Sequence, residues 1–176
     1  MDRAQARLGG EHVAHTTDGL EQAGAARVVT QLLAHHPERF ITASYGGSGV
    51  PETDPKRIAE TPKDKPGPDP KEQEARQKLT QAPHRDEQAF GALRSAFGST
   101  LRAPIDLTKI TIPVLAINGE FDAPIAKTHR MQRELKDFQA VVLPGKSHLT
   151  AIAAPYMPKE YLESVVTFIN ANDPKK

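Results

Sequence analysis

Residues 112–118, read Ile-Pro-Val-Leu-Ala-Ile-Asn, are apolar with almost no break. A second such run, 140–143, follows after one helix's length of more polar sequence. A strand with one wet face alternates apolar and polar residues. A continuous run needs cover on both faces, which is the condition of a strand inside a parallel sheet. Pro113 fits only at the beginning of the first run. Pro124 suits the first turn of the helix between the runs, with Asp122 or Ala123 near its cap. Parallel neighbours need a crossover connection, and the intervening span has the length of one. This part of the chain is thereby restricted to a right-handed strand–helix–strand unit.

The alternation continues upstream and downstream. Ala25, Val28, Val29, Leu32 and Leu33 recur at helical spacing. They predict one apolar face on a helix opened by Asp18 with Glu21 and stopped at His36 before Pro37. Residues 39–45 read as a strand closed by Gly46 and Gly47, and 158–170 as a last helix with Tyr161, Leu162, Val165, Val166 and Ile169 on one face. Four prolines within 61–70 remove donors and fix φ, so a mobile loop or insertion is expected there. Residues 71–79 suit a short solvated helix, and 86–97 an amphipathic one carrying Phe90, Leu93 and Phe97. Residues 1–17 show no period, and 12–17 are too short and too polar for a buried strand. The expected fold class is α/β, with about three parallel strands and flanking helices.

Composition removes several functions. Lys plus Arg total 23 against 22 for Asp plus Glu, so no electrostatic case exists for nucleic acid. The absence of cysteine excludes disulfides and thiolate metal sites. No apolar run approaches 18 residues, so no membrane span is expected. The start lacks a secretory apolar core, which makes a cytoplasmic location the expectation. His12 and His15 lack a third ligand close by in sequence, so neither a metal nor a cofactor is expected.

Two turns carry the chemistry. Gly119-Glu120-Phe121-Asp122 follows the first apolar run, and Pro144-Gly145-Lys146-Ser147-His148 follows the second. Ligands of open α/β sheets bind beyond the carboxyl ends of the strands. An acid and a histidine placed there, on adjacent strands, could form the back half of a Ser-Asp-His triad. These segments, with Ala34-His35-His36-Pro37-Glu38-Arg39-Phe40, resemble the α/β-hydrolase-fold enzymes of esterase and lipase type. The resemblance covers about 24–50 and 104–172. It implies Asp122 as the triad acid, His148 as the general base, and hydrolysis of an ester or similar acyl bond in a small molecule. Haloperoxidase, dehalogenase or C–C hydrolase chemistry is open on the same fold. By the same resemblance 51–103 is the cap insertion, with Phe90, Leu93 and Phe97 shaping an apolar pocket, and 1–23 is an irregular or disordered segment.

The front half departs from that pattern. No Gly-x-Ser-x-Gly occurs anywhere in the sequence. The resemblance puts the nucleophile near Ala23, where there is no hydroxyl or thiol. Ser44 and Ser48 are the alternative hydroxyls, without the strained turn a nucleophile needs. The first implied reading is a truncated or frame-disrupted hydrolase, weakly active or inactive. The second is a non-catalytic protein that binds a ligand or a partner chain. Without a preceding strand, the edge of the 39–45 strand would be bare and prone to self-association.

Overall fold

The computed structural model describes residues 12–16, 22–65, 67–80, 88, 91–92, 95 and 105–174. Four strands form one sheet in the order β1 (His12–Thr16), β2 (Phe40–Gly46), β3 (Val114–Gly119), β4 (Phe138–Leu143). Every neighbouring pair is parallel. The helices are α1 (Gln22–His35), α2 (Pro55–Glu60), α3 (Pro70–Thr80), α4 (Pro124–Glu134), α5 (His148–Ile152) and α6 (Lys159–Ala171). No described helix is long and apolar enough to cross a membrane.

The continuous apolarity of β3 is explained by its two covers. All six of its residues are buried. Val114 and Ala116 join a core with Ala43 and Tyr45 of β2, Ala26 and Leu33 of α1, and Met131 of α4. Leu115 and Ile117 join a second core with Leu143, Ile152, Tyr161, Val165 and Phe168. Alternate residues of one strand thus feed two cores on opposite faces.

The three expected strands are present, and a fourth joins them. Residues 12–16 pair with β2, from His12 opposite Phe40 to Thr16 opposite Tyr45, with one irregularity. Residues 12–16 are thus a regular strand within the 1–23 segment expected to be irregular: backbone pairing supplies what an apolar pattern does not. It also covers the β2 edge that was expected to be bare. At the other side, β4 is an edge strand rather than a buried one. Only Leu143 is fully buried there, and Val142 is exposed.

Both long helices turn inward only part of the stripe their spacing suggests, rotated so that neighbouring positions share the core. Among the described side chains of α1, Ala26, Thr30 and the expected Leu33 are buried and the expected Val29 packs against them, whereas Val28 and Leu32 are exposed. Thr30 tolerates burial because its hydroxyl donates to Ala26 O at 2.6 Å and accepts from the Tyr45 hydroxyl at 3.0 Å. On α6, Tyr161, Val165 and Phe168 are buried, while Leu162 and Val166 face solvent. Residues 61–65 and 67–69 hold no regular element, as their prolines predict, yet polar contacts tie them to the body of the fold. The expected helix over 86–97 and its Phe90, Leu93 and Phe97 lie outside the described residues, apart from 88, 91–92 and 95.

Candidate active site

The carboxyl ends of β3 and β4 are joined before any catalytic geometry is considered. Glu120 N donates to Leu143 O at 3.0 Å and Phe121 N to Lys146 O at 2.9 Å. Gly145 N donates to a Glu120 carboxylate oxygen at 3.0 Å. That bond, aided by Lys65 and opposed by desolvation, holds the Glu120 carboxyl below its usual range. The turn after β3 and the loop after β4 are therefore one unit.

This unit brings Asp122 and His148 together. His148 Nδ1 lies 2.8 Å from Asp122 Oδ2. An ionised carboxylate only accepts, so Nδ1 carries the proton and Nε2 is the basic nitrogen of the neutral ring. The Asp122 side chain is nine-tenths buried and that of His148 more open, at 28 % exposure. The imidazole lies against Gly47, which follows β2 with φ +60°. A Cβ at Gly47 would stand 2.9 Å from both Cε1 and Nδ1 of the ring. Glycine is therefore required there both for its backbone angle and for the space taken by the histidine.

Residues 64–72 hold the helices that follow both residues. Asp64 accepts from Ile125 N at 2.7 Å and Ala126 N at 3.1 Å, satisfying the first turn of α4. Glu72 accepts from Leu149 N at 2.9 Å, one residue past His148. Asp69, buried, binds the Thr150 hydroxyl, and its own N–H donates to Ser147 Oγ at 3.0 Å. A surface cavity of about 360 Å³ opens beside α2, lined by Pro51, Ile58, Pro62 and Ala126 among others. Neither Asp122 nor His148 lines it.

The other sequence candidates are not assembled in this way. Ser44 is buried within β2, and Ser48 uses its carbonyl to accept from Asn118 Nδ2 at 3.1 Å. Ala23 is the second residue of α1 and carries no hydroxyl or thiol. The strand before that helix ends at Thr16, and the connection over 17–21 lies outside the described residues. Sequence reasoning missed Thr16, a hydroxyl residue at the carboxyl end of β1, the same end of the sheet as Asp122 and His148. It also missed Lys127, whose Nζ donates to Asp122 Oδ1 and to Gly47 O at 3.0 Å. The signal for Lys127 was its place in the first turn of a helix beginning at Pro124, directly after the acid.

No protein-family model matches the sequence, and no curated protein matches it. Solved structures do. A serine hydrolase involved in carbazole degradation superposes with a TM-score of 0.59 at 14% identity, over 94% of this chain and 66% of that one. This chain has the α/β-hydrolase fold. An α/β hydrolase from the metagenome of Mar Chica lagoon sediments, Morocco, matches with TM-score 0.56 and 15% identity, over 93% of this chain and 63% of that one. A serine hydrolase from the polyaromatic-hydrocarbon-degrading bacterium Cycloclasticus zankles matches with TM-score 0.52 and 19% identity, over 92% and 63% respectively. The chain thus spans somewhat under two thirds of the length of these structures.

Proposed function

We propose that this α/β-hydrolase-fold chain carries the acid–base half of a hydrolytic site for esters or similar acyl bonds. Asp122 orients His148, and His148 is the general base. The observation that carries this reading is the 2.8 Å contact between His148 Nδ1 and Asp122 Oδ2 at the carboxyl ends of two adjacent parallel strands. With Nδ1 held by the carboxylate, Nε2 accepts the proton of an attacking hydroxyl or water as the bond to the acyl carbon forms. It returns that proton to the leaving alkoxide as the ester bond breaks. Serine hydrolases and an esterase among the structural neighbours support this chemistry.

The sequence lacks Gly-x-Ser-x-Gly, and loss of the nucleophile in one serine protease costs on the order of a millionfold in turnover. Turnover here is therefore expected to be slow. Slow hydrolysis of a short-chain aryl ester, lost in His148→Ala, is the expected result; equal rates in both proteins would remove the reading. A further loss in Thr16→Ala would identify the attacking hydroxyl, whereas no change would exclude Thr16 from that role. A second reading, a non-catalytic ligand-binding protein, is favoured by one observation: the carboxylate that should serve His148 is shared with Lys127. That reading expects no ester turnover and saturable small-molecule binding that perturbs the His148 ring signals.

A further inference from the structure

We propose that Lys127 is a positioning residue that sets the basicity of His148 through the carboxylate they share. The inference rests on the dyad of the proposed function but not on its being catalytic. Asp122 has two oxygens, and each has a cationic or potentially cationic partner: Oδ2 binds His148 Nδ1 and Oδ1 binds Lys127 Nζ. Lys127 is not a loose surface side chain making an incidental pair. Its Nζ also donates to Gly47 O at 3.0 Å, and Gly47 is the residue stacked on the His148 ring. Its backbone is fixed too, because Lys127 N donates to Ala123 O at 3.1 Å and Gly49 packs against the Lys127 carbonyl. One ammonium therefore ties together the acid and the loop behind the imidazole.

In a Ser-His-Asp triad the carboxylate stabilises the imidazolium that forms when the histidine takes a proton. Here the same carboxylate already neutralises an ammonium. A proton arriving on His148 thus makes a second cation around one anion, and like charges disfavour each other. Other charged groups lie on the segments next to His148 among the described residues. Lys146 lies in the same loop, Glu120 in the turn after β3, Asp69 just before α3 and Glu72 in its first turn. Glu120 and Asp69 are already engaged by Gly145 N and by Thr150, and Glu72 by Leu149 N and Arg76. Lys127 is the group bound to the same carboxylate as the ring, so its removal acts most directly. At the effective dielectric of a partly exposed site, the expected effect is a rise of about one pH unit in the titration midpoint of His148.

The test is NMR titration of the His148 ring signals in the unaltered chain, Lys127→Met and Lys127→Arg. No substrate is needed, so an ester assay with no turnover would remove the hydrolase reading and leave this one standing. A higher midpoint in Lys127→Met with the parental midpoint retained in Lys127→Arg is the expected result. Lys127→Gln repeats the measurement should the methionine variant not fold. An unchanged or lowered midpoint in a folded neutral variant would overturn the proposal. So would an equal rise in Lys127→Arg, because that variant keeps the charge. A purely structural role for Lys127 would perturb stability without an ordered change in the midpoint.

Discussion

Gly47→Ala separates the two reasons for which this position is glycine. Its φ of +60° is in the left-handed region, and an added Cβ would meet Ile152 Cδ1 at 2.7 Å and two His148 ring atoms at 2.9 Å. The Ile152 methyl can rotate away. The imidazole cannot retreat without stretching its 2.8 Å bond to Asp122. Left-handed backbone costs a non-glycine residue about 1–2 kcal/mol, and overpacking adds about 1–3 kcal/mol. Gly145 provides the control, since it has φ +66° but nothing within 4 Å of a built Cβ. Gly145→Ala should therefore cost only the backbone part, about 1–2 kcal/mol. Gly47→Ala should cost about 2–5 kcal/mol. Urea unfolding with an unchanged m-value reads both. The Gly47 variant should also shift the His148 ring signals, and the Gly145 variant should not. Equal costs in the two variants, with His148 undisturbed in both, would refute the claim that Gly47 shapes the ring's seat.

Asp64→Ala removes the acceptor for two first-turn N–H groups of α4 and should cost about 1 kcal/mol, the usual loss for a helix cap, in the same unfolding assay. Thr30→Val leaves the buried Tyr45 hydroxyl without its acceptor and should cost about 1–3 kcal/mol in the same unfolding assay. Burial raises the Asp69 carboxyl, but hydrogen bonds from Thr150 and from the Lys71 and Ser147 backbones outweigh it, so its folded pKa lies below the ordinary 3.8. Its stabilisation is then present above pH 3.8 and lost as the pH falls through the lower folded value. The stability gap between the unaltered chain and Asp69→Asn should narrow on acidification below that pH; a constant gap would contradict the assignment.

The parts of this fold that could be read from sequence are those whose signal is local. The β3 run is apolar throughout because both faces of the strand are covered, and Pro124 marks the start of α4. Asp122 and His148 stood out because each lies just past an apolar run, and the order of the strands does the rest. The strand at 12–16 was hidden because its stability comes from pairing with β2, while His12, His15 and Thr16 carry no apolar period. On α1 and α6 the spacing located part of the inward face, Leu33, Tyr161 and Val165, but not Ala26, Thr30 or Phe168. The exact rotation depended on partners distant in sequence, such as Tyr45 for Thr30. The role of residues 64–72 was invisible for the same reason. Asp64, Asp69 and Glu72 act on residues 125, 150 and 149, and no local pattern records that. Lys127 read as an ordinary helix-surface cation until its helix was placed beside Gly47.

The most direct test of the dyad is the tautomer of His148, read from the nitrogen-15 shifts of its two ring nitrogens above its titration midpoint. The dyad predicts a proton on Nδ1 and an unprotonated, basic Nε2, with that preference lost in Asp122→Asn. A predominant Nε2–H tautomer in the unaltered chain, or one unchanged in Asp122→Asn, would contradict it.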